Sequence, residues 1–214
     1  MTRPPATAPS SVSGQDAPPS DYRLLLPDGW FRIDLTPQRR EESVTALVEK
    51  QFAGYDSAPL LKEELRKDLK KRAAKAYRSG GIELYLSLQQ AGPFTVPASL
   101  LVTLAPLQHP EPLPLEALAQ SLVEDDEDRE VSIGELRSSP AVRVRKRQQQ
   151  PSGEATGRSA ISTSVDYHIP VPGSTAFLLL SFSTPLEVIA DAMTHLFDAI
   201  ADTLVWVDGA TGHD

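Results

Sequence analysis

Residues 174–206 read STAFLLLSFSTPLEVIADAMTHLFDAIADTLVW, and this stretch decides the fold. The apolar run at 177–182, interrupted by a single serine, predicts a strand that is covered on both faces. After it, Thr184, Pro185 and Glu187 fit an N-cap, a first helical residue and the glutamate of a capping box. The stretch therefore predicts a buried strand that leads directly into a helix.

The helix predicted after this strand has one apolar side, which we expect to pack on the sheet, and it runs to residue 206. Its large apolar side chains recur at helical spacings of three, four and seven residues. They are Leu186, Ile189, Met193, Leu196, Phe197, Ile200 and Leu204. Asp191, Asp198 and Asp202 lie off this stripe and are expected to face water. The strand and the helix together predict the core of the protein and carry no obvious chemistry.

Composition limits the class of protein. The 214 residues are enough for one well-buried domain, and 40% hydrophobic and 23% charged residues are ordinary for a globular protein. The net charge of −8 argues against attraction of the whole protein to nucleic acid, so no nucleic-acid partner is expected. Because the chain has no cysteine, disulfides, thiolate chemistry and cysteine-ligated metals are excluded.

The first residues and the hydropathy pattern predict a cytoplasmic protein. The opening Met-Thr-Arg-Pro-Pro lacks the apolar segment of a signal peptide. No apolar run approaches the ~18 residues of a membrane-spanning helix, so no membrane span is expected.

Turn residues and hydrophobic periodicity divide the chain into one domain and two tails. Residues 1–20, rich in Pro, Ser and Ala, predict a disordered tail, residues 21–207 a single domain, and residues 208–214 a flexible tail. The domain is predicted to contain, in order, two strands, two helices, two strands, a short helix, four strands and a long helix. Blocks of helices between mostly antiparallel strands indicate an α+β fold, with an antiparallel sheet flanked by helices on both faces.

The first two strands are expected to form a strand–turn–strand unit. Residues 22–26 and 30–35 have strand patterns, and Pro27-Asp28-Gly29 between them favours a turn. This unit is predicted to open the domain.

Three short motifs carry a family resemblance. They are an opening strand that ends in Pro27-Asp28-Gly29-Trp30, the strand Pro140-Ala141-Val142-Arg143, and the strand at 177–182 followed by a helix that ends in Trp206. Together they resemble the PsbP-like α/β/α sandwich superfamily, which includes actinobacterial LpqN-type lipoproteins and soluble relatives of unknown function. The resemblance covers residues 21 to about 207. It implies a sandwich that binds other proteins and lacks catalytic machinery.

Sequence motifs predict no catalytic, cofactor-binding or metal-binding residue. The chain lacks G-x-S-x-G, G-x-x-x-x-G-K-[ST] and G-x-G-x-x-G. Its four histidines are too far apart for zinc-ligand spacing, and the acidic run at 124–130 lacks the layout of a calcium loop. We therefore expect no cofactor and no enzymatic activity. A hydrolase would require His168, an acidic residue and a serine to meet in one cleft.

Basic residues form the candidate partner-binding surface. The candidates are Arg143, Arg145, Arg147, Lys67, Lys71 and Arg78. The three arginines alternate along a predicted strand and therefore share one face, which the basic helix predicted at 59–79 would extend. An acidic protein is a better ligand than nucleic acid, because the stacking aromatics of single-strand binders are missing. Residues 111–135 have nine acidic residues against one arginine, a region suited to steering a partner or to self-association.

Two functions are predicted from these observations. The first is a non-enzymatic protein-interaction module with an unknown protein partner, connected through the resemblance with actinobacterial type VII secretion systems. The connection would be with the machinery, because none of the five tyrosines is followed by the export motif Y-x-x-x-[DE]. The alternative is a carrier of a small molecule or lipid, with a pocket between the sheet and the C-terminal helix lined by Met193, Phe197 and Trp206.

Overall fold

The computed structural model describes residues 17–53, 59–91, 94–106, 111–125, 129–150 and 160–208. The strands in these ranges are β1 (Asp21–Arg23), β2 (Trp30–Ile33), β3 (Gly81–Ala91), β4 (Phe94–Ala105), β5 (Arg129–Glu135), β6 (Pro140–Gln150), β7 (Ala160–Pro170), β8 (Phe177–Thr184) and β9 (Val205–Val207). The helices are α1 (Arg40–Gln51), α2 (Pro59–Arg78), α3 (Leu115–Asp125) and α4 (Ala190–Asp202), and a 3₁₀ turn at Glu187–Ile189 precedes α4. Residues 1–16 of the predicted N-terminal tail and residues 209–214 of the C-terminal tail lie outside the described ranges.

A seven-stranded antiparallel sheet has the strand order β2-β3-β4-β8-β7-β6-β5. Helix α4 packs on one face of this sheet, and α1 and α2 pack on the other with a separate core. The short strands β1 and β9 form a second sheet of two strands. The predicted α+β architecture with helices on both faces is confirmed.

The core beneath α4 is built around three aromatic rings. Phe182 of β8 stacks on Phe197 of α4 with ring centroids 4.9 Å apart, and Tyr167 of β7 meets Phe182 edge-on at 5.9 Å. All three side chains are buried. A buried large apolar side chain contributes about 1.5–3 kcal/mol to stability. Phe182 and Phe197, which come from the strand and the helix predicted as the core, therefore hold α4 on the sheet.

The face of the seven-stranded sheet opposite α4 is covered unevenly by α1, α2 and α3. Val44 and Val48 of α1 and Ala73 of α2 are buried against Leu84 of β3, so these helices cover the β2–β3–β4 end of the sheet. Helix α3 contacts β5 and β6 at the other end. In the described ranges no helix makes extensive contact with β8 or β7 on this face. The two middle strands are therefore left open there.

The predicted capping box of α4 is wrong. Thr184 is the last residue of β8 and pairs with Thr163 of β7. Its hydroxyl donates to the Pro97 carbonyl at 3.0 Å and accepts from the Leu186 N–H at 3.3 Å, while the α-helix itself begins at Ala190. The strand ladder holds Thr184, so a 3₁₀ turn and not a capped α-helical turn follows it.

The predicted end of α4 at Trp206 is also wrong. The predicted pairing of the first two strands with each other is wrong as well. The helix ends at Asp202, and Trp206 lies in β9, opposite Tyr22 of β1. Strand β2 pairs instead with β3. The linking residues Leu24 and Leu26 pack on the α4-side core, and this contact carries the chain from one sheet to the other.

Candidate functional site

A cleft of about 550 Å³ lies on the open middle of the sheet, between α2 and α3. Its floor is formed by β8, β7 and β6, on the face opposite α4. The volume lies within the range of about 300–1,000 Å³ that is usual for small-molecule sites.

Side chains on the cleft floor form rows that run across the strands. In register, one row joins Leu101, Ser181, Asp166 and Val144, and the next joins Ser99, Ser183, Ser164 and Lys146. The Ser99 and Ser183 hydroxyls are hydrogen-bonded at 2.7 Å. Leu179 and His168 pair in the following row. The floor therefore has hydroxyl, carboxylate and imidazole groups side by side at the centre of the sheet.

The cleft walls combine apolar and basic side chains. The apolar contributions are Leu84, Leu86, Leu101, Leu122 and Leu179, and the basic ones are Arg72, Lys75, Arg129 and Lys146. Arg72 also pairs with Asp68, with 2.6 Å between Nε and Oδ2. Against four basic groups the cleft has one acidic side chain, Asp166. Its charge is thus predominantly positive.

Burial shifts both titratable groups of the floor toward their neutral forms. Burial raises the pKa of the Asp166 carboxyl, although hydrogen bonding by Ser181 and the charges of Arg129 and Lys146 act in the opposite direction. Burial also lowers the pKa of the His168 imidazole, and the nearby Arg129 charge adds to this effect. Both effects favour the neutral form of His168, which has one hydrogen-bond donor and one acceptor.

The arginine row predicted as a partner-binding surface lies on the other face, beside α4. Arg143 forms a fork with Asp198, with 2.7 Å from Nε to Oδ1 and 3.4 Å from Nη2 to Oδ2. The Tyr167 hydroxyl donates to the same carboxylate, and Arg145 pairs with Asp191. Two of the three arginines are thus engaged with α4.

The aspartates of α4 are partly exposed to solvent, as expected, and they also contact groups of other elements. Asp191 and Asp198 bind arginines of β6, and Asp202 accepts a hydrogen bond from the Arg137 N–H at 2.9 Å. The periodicity showed that these residues are off the apolar stripe, but not that cationic groups of the sheet reach them.

The structure does not join the two halves of the predicted basic patch. Lys67, Lys71 and Arg78 are exposed on α2, on the face opposite Arg143 and Arg145. Arg145 and the exposed Arg147 line a separate depression of about 750 Å³ with Lys146, Gln148, Ile161, Glu130 and Glu187. That depression contains acids as well as bases and has one apolar side chain, so it offers less to a ligand than the cleft does. Whether any of the six residues binds a partner stays a prediction.

The predicted location of a ligand pocket, beneath α4, differs from that of the cleft. Met193 and Phe197 are buried in the core, and neither lines the opening of about 280 Å³ at the edge of α4. Trp206 lines another opening of similar size near β1. The cleft, which is larger than either of these two openings, lies on the opposite face of the sheet because α1, α2 and α3 leave the middle strands uncovered there.

His168 and Asp166 share the cleft with five serines, Ser79, Ser99, Ser164, Ser181 and Ser183, so the residue types that a hydrolase requires are present there. However, among the described residues no hydrogen bond joins His168 to a serine or to Asp166. A general base must lie within about 2.6–3.2 Å of the proton that it removes. The cluster thus supports binding better than nucleophilic catalysis. Nor does any group of three or more His, Asp or Glu side chains in the described ranges have an arrangement that could hold a metal ion.

Sequence reasoning missed the cleft although a signal for it was present. In β7, Ser162, Ser164, Asp166 and His168 alternate with Thr163, Val165, Tyr167 and Ile169. Such alternation is typical of a strand with one face away from the core. The pattern does not show where the helices lie. Because α2 and α3 stand on either side of this polar face, it becomes the floor of a cleft.

No family model matches the sequence, and no curated protein matches it either. Among solved structures, the chain is similar to LpqN of Mycobacterium tuberculosis, a protein described as involved in cell envelope biogenesis. The identity is 11%, the match covers 89% of this chain and 86% of that chain, and the TM-score is 0.45. Such a distant likeness leaves the function to be argued from the cleft itself. In the described part of the chain, no helix is both long and apolar enough to span a membrane.

Proposed function

We propose that this protein is a non-enzymatic binding module that takes a small amphipathic acid in the cleft between α2 and α3. The observation that carries the proposal is the composition of the cleft, in which leucine walls adjoin a floor of serines and a predominance of basic groups. An apolar body would pack on the leucines while an acidic group binds the basic side chains and the serine hydroxyls.

The position of the polar groups supports an acidic ligand. Ser99, Ser183, Ser164 and Lys146 follow one another in register across four strands. Their hydroxyl and ammonium groups are donors to a carboxylate or phosphate oxygen. Lys75 on the α2 wall adds a charge at the exposed rim, where an incoming anion first meets the protein.

The test uses decanoate as the probe in isothermal titration calorimetry, with decyltrimethylammonium as the cationic counterpart. We expect decanoate to bind and the cationic probe to bind more weakly. Lys75→Glu should weaken decanoate binding about twofold to fivefold, because one exposed charge contributes up to about 1 kcal/mol and tenfold would need about 1.4 kcal/mol. Lys67→Glu makes the same change on α2 away from the cleft and should leave the affinity unchanged. Equal effects of the two substitutions, or no decanoate binding, would contradict the proposal.

A protein-interaction role is the second proposal. It is supported by the exposed basic side of α2, where Lys67, Lys71 and Arg78 are accessible to an acidic partner. A pull-down from native lysate that compares the natural protein with a Lys67→Glu, Lys71→Glu double variant tests it, and recovery of the same proteins by both would oppose it. Membership of the PsbP-like superfamily, a cytoplasmic location and a connection with type VII secretion stay predictions.

A further inference from the structure

Strand β5 forms one edge of the seven-stranded sheet, and its outer side pairs with no other strand in the described ranges. Its seven residues run in unbroken register with β6, contain no proline, and five of them are exposed. Natural edge strands are usually protected by shortness, proline or a bulge. The opposite edge, β2, is only four residues long. Strand β5 has none of these three protections, and the charged side chains that it does have, Arg129, Glu130 and Glu135, include both signs.

The hydrogen bonds of the β5–β6 hairpin show which backbone groups of β5 point outward. Leu136 N–H donates to the Ser139 carbonyl at 3.2 Å, and Pro140, opposite Glu135, has no N–H to give. In an antiparallel ladder, hydrogen-bonded and non-hydrogen-bonded pairs alternate. The even-numbered residues of β5 therefore bond to β6, and the N–H and C=O groups of Val131 and Ile133 point away from the sheet.

The sequence of β5, Arg-Glu-Val-Ser-Ile-Gly-Glu, is complementary to itself when reversed. Two copies placed antiparallel about Ser132 put Val131 opposite Ile133 and Arg129 opposite Glu135, and the outward-pointing groups face each other as hydrogen-bonded pairs. Arg129 already donates to the Leu122 carbonyl at 3.4 Å within its own chain, so Glu135 of a second copy would be an additional acceptor.

Space and apolar exposure fit the same register. Glu130 of one copy comes opposite Gly134 of the other, and no atom lies within 4 Å of the position that a Cβ on Gly134 would take. Ile133 is 44% exposed and lies beside Val131 of the second copy in this arrangement. Registers centred on Val131 or Ile133 lose the Arg129–Glu135 pair and leave end residues unpaired.

We propose that β5 associates with β5 of a second copy of this chain, in antiparallel register centred on Ser132, so that two seven-stranded sheets become continuous. The proposal shares Arg129 with the cleft wall, but its test involves no ligand and no substitution in the cleft. Because each copy has a net charge of −8 and two copies therefore repel each other, association is to be measured at about 0.15 M salt, where the Debye length is about 8 Å.

Sedimentation equilibrium of the full chain tests the proposal. The natural protein should approach twice the monomer mass as its concentration rises. Ser132→Glu and Ser132→Lys each place like charges opposite each other and should weaken self-association about tenfold or more. An equal mixture of the two variants should recover the dimer, because only in this register does residue 132 face itself.

Ala199→Glu adds the same charge on the exposed side of α4 and is the control, which should dimerise like the natural protein. Circular dichroism and the urea midpoint of each variant establish that the fold is retained. A natural protein that is monomeric at every concentration would overturn the proposal. So would a dimer that Ser132→Glu leaves intact, or a mixture that stays monomeric.

Discussion

Asp166 of β7 and Ser181 of β8 are direct partners across two central strands, and both side chains point away from α4 into the cleft. On the other face of the same strands, Val165 and Phe182 are fully buried beneath α4. The middle of the sheet is therefore a closed core on one face and an open polar floor on the other. The candidate function follows from this difference between the faces.

The Asp166 carboxyl gives the stability of the protein a characteristic pH dependence. Burial raises its pKa, so the folded protein holds this proton more tightly than the unfolded chain. The stabilisation is present below the ordinary pKa of about 3.9 and is lost as the pH rises through the folded-state value. Asp166→Asn does not ionise, so its free energy of unfolding should increase relative to the natural protein as the pH rises. Urea unfolding from about pH 3 to about pH 7 measures the difference.

Asp191→Asn is the control with the opposite sign. Arg145 lowers the pKa of the Asp191 carboxyl by a hydrogen bond and by its charge. The ion pair therefore stabilises the folded protein above the ordinary pKa and loses this effect as the pH falls. The Asp191→Asn variant should lose stability relative to the natural protein as the pH rises. If the difference in free energy of unfolding from the natural protein changed in the same direction with pH for both variants, the Asp166 carboxyl would not be in the buried environment described.

Asp198→Ala should destabilise the protein by about 1–3 kcal/mol, because it leaves the Arg143 guanidinium and the Tyr167 hydroxyl without their shared acceptor. The Arg143 side chain is 20% exposed and Asp198 38%, so solvent replaces the lost partner only in part. Asp191→Ala removes a pair whose acid is 76% exposed, so it should destabilise the protein clearly less than Asp198→Ala does. Urea unfolding compares the two variants, and equal losses would contradict an anchoring role for Asp198.

Phe197→Ala should cost about 3–5 kcal/mol, because it leaves a cavity against Phe182 in a fully buried site. Val188→Ala is the comparison, since the Val188 side chain is 99% exposed just before α4 and its truncation should be close to neutral. Thermal or urea unfolding measures both. A loss of less than about 1 kcal/mol at Phe197 would mean that α4 is not held by these rings.

Much of the fold could be predicted from the sequence, because hydrophobic periodicity is a local signal. The helix predicted at 59–79 agrees with α2, and the strand at 177–182 lies within β8. The errors occurred where a long-range contact decides the local structure. Trp206 continues a helical apolar pattern, but pairing with Tyr22, at the other end of the domain sequence, makes it part of a strand.

The candidate site was less predictable than the fold. Its polar floor comes from alternation in β7 and β8, which the sequence contains, but its walls come from α2 and α3, whose positions on the sheet no short pattern specifies. Conversely, Arg143 and Arg145 form a conspicuous row in sequence, yet Asp198 and Asp191 of α4 engage them. Charge spacing along one strand does not reveal which groups approach from another element.

The cleft as a ligand site is tested most directly by filling it. Ser164→Phe places a ring on the floor, in a strand position that aromatic residues favour, whereas Ala199→Phe places the same ring on the exposed side of α4. Calorimetric titration with decanoate should show affinity reduced about tenfold or more for Ser164→Phe and unchanged for Ala199→Phe. Undiminished binding to a folded Ser164→Phe protein would contradict the account.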